Sequence, residues 1–305
     1  MLHFPVLLEE SIGFLVDNKS GSFLDCTFGR GGHSNSILNT ISENGKLTAF
    51  DKDPDAVQYA NDSINDSRFK IIHKSFNEID SIFQEKSLDG ILFDLGTCST
   101  HFDDKSRGFS FRDDGPLDMR FNFNTGDPLS EWINKASEKE LIDVLYKYGQ
   151  EKNARSIAKA ICAFRQESEI KTTSQLVSII VSVSSKKFSK IHPATKSFQA
   201  FRIFINNELE ELEEALEKSK QLIKIGGKIV VISFHSLEDS IVKNSFKTKI
   251  KAFPREIPIN PIVTKEFDCI ARKIRPSNIE INRNKRSRSA IMRVFKKLPW
   301  MQTIY

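Results

Sequence analysis

The sequence predicts an α/β fold, an open and mostly parallel sheet flanked by helices, with an all-helical domain inserted into it. Short apolar strand patterns alternate with helical patterns from Ser22 to Leu95. That alternation stops near Ser99, and helical patterns follow with no strand between them. After residue 200 a long amphipathic helix and another buried-type strand return. The expected division is therefore a core of residues 1–100 and 200–305, with residues 101–199 as an inserted substrate-recognition domain.

Each element has a local reason. Pro5 suits the first turn of a short N-terminal helix. Ser20-Gly21 leads into a strand over Ser22–Thr27, and a second strand covers Lys46–Phe50 before Pro54 opens a helix. Phe69–His73 is a third strand. Asp89–Leu95 is a fourth, apolar on both faces as a central parallel strand must be. Ser106–Asn124 is a polar and aromatic loop with an Asp-Asp-Gly-Pro turn. Helices are expected over Pro128–Ala136, from the capping box Ser137/Glu140 to Gly149, over Asn153–Phe164 and over Ser174–Ser182. Ile205, Leu209, Leu212, Leu216 and Ile223 share one helix face, and Gly226-Gly227 is expected to end that helix. Lys228–Phe234 reads as the fifth strand. Cys269–Arg275 and Ala290–Lys296 can close the sheet as an antiparallel pair.

The 305 residues carry 45 basic and 40 acidic side chains, a net charge of +5 that permits an anionic partner without requiring one. Cys26, Cys98, Cys162 and Cys269 are scattered, with no metal-ligand spacing, and read as thiols of a reducing compartment. The N-terminal stretch carries early acids and lacks a cationic leader, and no apolar run is long enough to span a bilayer. The expectation is a cytoplasmic protein with no membrane partner and no metal. Its oligomeric state is left open, a homodimer included.

The chemistry concentrates between Asp25 and Asp53. A strand ends in a carboxylate, Gly29, Gly31 and Gly32 make a turn that opens a helix, and a second strand ends in Asp51. An open α/β sheet holds a nucleoside cofactor in this way, with the second carboxylate placed to accept from both ribose hydroxyls. A dinucleotide fingerprint would have a third glycine where this chain has Ser34. Carboxylates on both sides of the turn suit a cationic ligand, and S-adenosylmethionine carries a sulfonium and an ammonium. NAD remains the competitor. Asp94, at the end of strand four, faces the reactive end of the cofactor in this topology and is the candidate catalytic carboxylate.

Arg107–Arg120 mixes arginines, aspartates, Phe109 and Phe111. Arg107 and Arg120 could meet phosphates and the two phenylalanines could stack on an unpaired base, or the segment could be a salt-bridged junction loop. His235 could line the crevice, while Ser236 with Asp239 reads as a helix start. Arg283, Lys285, Arg286, Arg288 and Arg293 form a basic run that carries little weight alone.

Taken together, His3–Glu10, Thr27–Ser34, Asp51–Ala56, Arg107–Arg120, His192–Arg202, Ile232–Val242 and Arg288-Ser289-Ala290 closely resemble the bacterial 16S rRNA cytosine-N4 methyltransferase family (RsmH, also called MraW). The resemblance runs the length of the chain. It implies a class I S-adenosylmethionine-dependent, Rossmann-like fold with an inserted helical domain. It also implies methylation of the N4 amine of a decoding-site cytidine in 16S rRNA of the small ribosomal subunit. By position, it assigns cofactor contacts to Gly31, Gly32, His33, Asp51, Phe76, Asp94 and His101. His101 stands where the family usually has Gln, and Thr97–His101 departs from the usual Val-Ser-Ser-Pro-Gln. The alternatives are a DNA amino-methyltransferase, whose Pro-Pro-aromatic signature Thr97–Thr100 lacks, a nicotinamide-dependent oxidoreductase, and a non-catalytic ribosome-assembly factor.

Overall fold

Parallel pairing of the strands needs crossovers, and in this chain each crossover runs through a helix or a short 3-10 turn. The computed structural model describes residues 5–184, 192–251, 262–299 and 302–304. In chain order, α1 (Leu8–Leu15), β1 (Ser22–Asp25), α2 (Gly32–Thr40), β2 (Lys46–Asp51), α3 (Pro54–Ser63), β3 (Phe69–His73) and β4 (Leu88–Asp94) come first. Then come α4 (Ser99–Asp103), α5 (Leu129–Lys135), α6 (Glu138–Gly149), α7 (Ala154–Glu167), α8 (Thr173–Ser182) and α9 (Thr195–Ile205). The rest of the chain forms α10 (Glu208–Leu222), β5 (Ile223–Ser233), α11 (Ser236–Ser245), β6 (Lys249–Lys251), β7 (Ile262–Thr264), β8 (Phe267–Ile274), α12 (Asn278–Arg283), β9 (Ile291–Lys297) and β10 (Gln302–Ile304). His3 and Phe4, at the head of the first family-like stretch, lie outside the described residues.

The chain divides into two units, one of Met1–Gly96 with Leu209–Tyr305 and one of Thr97–Glu208. The first holds a seven-stranded sheet of order β3-β2-β1-β4-β5-β9-β8. β3, β2, β1, β4 and β5 are parallel, while β9 runs antiparallel to β5 and to β8. This is the Rossmann-like, mostly parallel α/β fold expected from the sequence. Successive residues alternate between its two faces. Leu24, Ile91, Phe93, Ile229 and Val231 pack on one side with Leu212 and Leu216 of α10. Phe23, Leu92, Val230 and Ile232 pack on the other with Ile12, Leu15 and Ile37. Each fully buried Leu, Ile or Phe contributes roughly 1.5–3 kcal/mol. A smaller sheet of order β10-β7-β6 is antiparallel.

Several local expectations shift. α1 begins at Leu8 and not at Pro5, because Leu7 takes a left-handed φ of 53° and donates its N–H to Glu280 Oε1 at 2.8 Å. α10 ends at Leu222, before the Gly226-Gly227 pair expected to stop it. Ile223 is already buried and paired with Leu88, and Lys228 pairs with Gly90, so the glycines lie in an irregularity inside β5. Gly226 turns there with a φ of +84°. α11 is capped by His235, with Glu238 completing the box, one residue before the expected Ser236.

In the second unit, α6 packs against α7 and α9. Its start is the expected Ser137/Glu140 box. The unit runs on to Glu208, past the boundary expected at residue 199. Asn206 explains the difference: it is buried, accepts from the N–H of Phe121 at 2.7 Å and donates to the Met119 carbonyl at 2.8 Å. The end of α9 is thereby tied to the loop that follows α4.

Candidate functional site

β2, β1 and β4 are adjacent and parallel, so their carboxyl ends meet at one edge of the sheet. Asp51, Asp25 and Asp94 are the last residues of those three strands. Asp25 is fully buried; it accepts from Ser34 Oγ at 2.7 Å and from the Thr27 N–H at 3.1 Å. Burial, with some help from the negative charge of Asp51, raises its carboxyl to about 6, against the pull of the Ser34 and Thr27 bonds. Asp51 accepts from the N–H of Gly29 at 2.8 Å and of Asp53 at 2.9 Å. The two carboxylates thus hold opposite sides of the glycine turn. Ser34, which breaks the dinucleotide pattern, is what Asp25 binds.

The turn itself needs glycine. Gly31 caps α2 with a φ of +72°, and a Cβ there would come within 2.8 Å of the Phe28 ring. Gly32 approaches Pro5 as closely, since a Cβ would lie 2.9 Å from its ring. His33 is 5% exposed, with Nε2 3.1 Å from the Val6 carbonyl and Nδ1 3.5 Å from Asp94 Oδ2. The Asp94 N–H donates to Thr27 Oγ1 at 2.8 Å. Thr27 was not singled out from the sequence. Its signal is a hydroxyl two residues past the carboxylate that ends β1.

Phe76 follows β3 and meets Phe93 edge-on, ring centroids 5.8 Å apart. Beside it, Glu211 of α10 accepts from Lys52 Nζ at 2.8 Å and from Ser75 Oγ at 2.7 Å. This clamp on the loops after β2 and β3 was invisible in the sequence, because its partners lie more than a hundred residues apart. The rim is therefore acidic and backbone-lined. Such a set of acceptors suits a cationic ligand with hydroxyls. Among the described residues, no group of three or more His, Cys, Asp or Glu is arranged to hold a metal ion.

In the second unit the loop residues knit together. His101 is buried and stacks on Phe109 at 5.0 Å and against Phe121 at 5.1 Å. Arg107, also buried, donates to the carbonyls of Arg120 and Phe121 and lies 5.0 Å from the Phe123 ring centroid. Arg120 grips Asp118 through two nitrogens, at 2.8 and 2.7 Å, and donates to the Gly126 carbonyl at 2.6 Å. Phe109 is 4% exposed, whereas Phe111 is only partly buried and stacks on His192 at 4.7 Å. Arg107, Phe109 and Arg120 thus shape the loop, and Phe111, which also meets Phe198 edge-to-face at 5.1 Å, is the more exposed of the two phenylalanines.

Two other candidates have structural partners. His235 caps α11, with Nε2 3.0 Å from Glu238 Oε1. Arg293 is paired with Asp239 at 2.6 and 3.1 Å, while Arg283, Lys285, Arg286 and Arg288 are exposed. Among the described residues, no helix is long and apolar enough to cross a membrane.

The sequence profile of the MraW methylase family matches residues 1–298. A ribosomal RNA small subunit methyltransferase H from Marinomonas sp. (strain MWYL1) is 44% identical over 304 residues, covering 97% of this chain and 97% of that protein. One of the same name from Ruthia magnifica subsp. Calyptogena magnifica is 45% identical over 303 residues, covering 97% and 98%. Among solved structures, an rRNA methylase from Streptococcus thermophilus aligns over 98% of this chain and 99% of its own, with 12% identity and a TM-score of 0.43.

Proposed function

The chain belongs to the MraW methylase family, and we propose that it transfers the methyl group of S-adenosylmethionine to the N4 amine of a decoding-site cytidine in 16S rRNA of the small ribosomal subunit. The observation that carries the cofactor assignment is the acidic rim: Asp25, Asp51 and Asp94 end three neighbouring parallel strands around a glycine turn. A pyrophosphate would be repelled there, while a sulfonium and an ammonium are drawn in. The rRNA substrate rests on the names of the relatives.

Bound at this rim, the cofactor supplies an electrophilic methyl group. The chain does the rest by positioning. Gly31, Gly32 and His33 at the head of α2 and Asp51 at the end of β2 hold the nucleoside, with Phe76 against the adenine. Asp94 and the carbonyls of Leu95–Ser99 would accept from the N–H groups of the amine as its nitrogen pyramidalises, and the proton that the methylated nitrogen sheds would leave by way of the Asp94 carboxylate. An exocyclic amine conjugated to its ring is a poor nucleophile, so alignment is worth several kcal/mol, on the order of 7–11 in well-oriented systems. The base leaves its stack to be methylated, and an aromatic such as Phe111 is the kind of side chain that stacks on an unpaired base. His101 contributes on this reading by shaping its own loop, packed against Phe109 and Phe121. The enzyme works in the cytoplasm.

Two measurements test this. S-adenosylmethionine, and not NAD, is expected to raise the melting temperature, since only a ligand of the native state stabilises it. Mass spectrometry of small-subunit rRNA from cells lacking the protein is expected to miss one methyl at a decoding-site cytidine. A fully methylated cytidine in those cells refutes the substrate assignment, and stabilisation by NAD alone refutes the cofactor.

A further inference from the structure

The second unit contains a cavity of about 480 Å³ between α5, α6 and α9, remote in sequence from the acidic rim. Its walls are aromatic. Trp132 and Phe204 lie with ring centroids 4.5 Å apart and planes inclined by 47°, and Tyr148 stands 6.4 Å from Phe204. Its mouth is acidic: Glu140 and Asp143 project from successive turns of α6. Glu140 spends one oxygen on the Ser137 cap, whereas Asp143 is exposed and has no hydrogen bond or ion pair among the described residues. Tyr146, which also lines the cavity, is 72% exposed. The chain itself shows what such a box accepts. Lys147 Nζ lies 4.6 Å from the Tyr148 ring centroid and donates to its hydroxyl at 2.9 Å.

From this geometry we propose that the cavity is a docking site for an arginine side chain presented by a basic protein segment. Aromatic faces attract a cation most strongly when it is partly desolvated, and a guanidinium stacks on them as a plane while its N–H groups reach a carboxylate. Asp143 is the carboxylate within reach of the mouth. The Tyr148 hydroxyl already holds an ammonium, so the tilted Trp132–Phe204 pair is left for the planar cation. Charge decides between partners. The protein carries +5 overall, yet this mouth carries Glu140 and Asp143 against Lys147 alone, which repels a phosphate backbone and attracts a basic protein. Trp and Tyr are also the residues in which binding energy concentrates at protein interfaces. If the substrate is the small ribosomal subunit, as proposed above, such segments are met on its protein surface. The site itself does not depend on methyl transfer.

The test uses the full chain with Trp300→Phe, which leaves Trp132 as the sole tryptophan reporter. Its fluorescence is titrated with the tripeptides Gly-Arg-Gly and Gly-Lys-Gly, spermidine and cytidine monophosphate. Saturable quenching by Gly-Arg-Gly is expected, stronger than with the lysine peptide or spermidine. Asp143→Asn should weaken it by about fivefold or more, as loss of a hydrogen bond to a charged group does. Lys147→Met, which removes the resident cation, should tighten it. No saturable response to Gly-Arg-Gly overturns the proposal, as does equal binding of spermidine. A response to cytidine monophosphate alone assigns the cavity to RNA instead. Because no cofactor takes part, these outcomes are independent of the methyl-transfer assignment.

Discussion

His33 bridges the N-terminal segment and the end of β4: its Nε2 lies 3.1 Å from the Val6 carbonyl and its Nδ1 3.5 Å from Asp94 Oδ2. A carbonyl only accepts, so Nε2 carries a hydrogen. Nδ1, the other ring nitrogen, faces the carboxylate. Both side chains are largely withdrawn from solvent, at 5% and 17% exposure, which strengthens the contact.

His33→Ala is therefore expected to lower methyl-transfer turnover by about tenfold, the worth of a hydrogen bond to a charged group. Asp94→Asn should lower turnover by about a hundredfold while changing cofactor affinity far less, as removal of a group that acts in the transition state does. At saturating S-adenosylmethionine the double variant should be no slower than Asp94→Asn alone, because the effect of His33 on turnover, as distinct from its hold on the nucleoside, runs through the carboxylate. Single-turnover assays and calorimetric titration with S-adenosylmethionine check all three. Simple multiplication of the two losses would uncouple the pair.

Asp25 makes the protein's stability depend on pH in an unusual direction for an aspartate. Its folded-state value of about 6 lies above the roughly 3.9 of an unfolded chain. The folded state therefore holds the proton more tightly. The stability from this group is complete below about pH 4 and is lost as pH rises through about 6. A two-unit shift corresponds to about 3 kcal/mol. Asp25→Asn does not titrate, so the wild type should lose about 3 kcal/mol relative to the variant between about pH 4 and pH 7. Urea unfolding at several pH values measures this, and a constant difference across the range contradicts it.

Phe109 and Phe111 are two residues apart and should behave differently. Phe109, enclosed by His101 and Phe121, is expected to cost about 3–5 kcal/mol on truncation to alanine. Phe111→Ala should cost less in stability but weaken RNA binding by about tenfold, within the roughly 1–3 kcal/mol that stacking one base provides. Melting curves and filter binding of a small-subunit RNA fragment separate the two effects. Unchanged RNA affinity in Phe111→Ala would remove this loop from the substrate path.

The core was legible because its signals are local. Strand ends at Asp51 and Asp94 follow from apolar runs closed by a carboxylate, and the Ser137/Glu140 box marks α6 directly. What could not be read were contacts with no sequence neighbour. The Gly226-Gly227 pair looks like a helix stop, but pairing of Ile223 with Leu88 overrides local preference. Asn206 falls inside the single helix expected from Ile205 to Ile223; the chain instead breaks there between α9 and α10, where Asn206 bonds to Phe121 and Met119. In the Arg107–Arg120 segment, composition alone could not separate ligand-facing side chains from those that hold the loop. Burial does so for Phe109 and Arg107. The His33–Asp94 contact joins two residues that the family resemblance named separately.

The first unit is discontinuous, while Thr97–Glu208 is one unbroken stretch. A ribosome releases β1 to β4 well before Ile223–Ser233, the strand that covers the outer edge of β4. Until then Ile91, Leu92 and Phe93 belong to an open, sticky sheet border, the kind of surface that recruits wrong partners. The helical stretch, unbroken in sequence, can settle meanwhile. Lesions in β5 or β9 should therefore surface first as insoluble nascent product, with little left to assay.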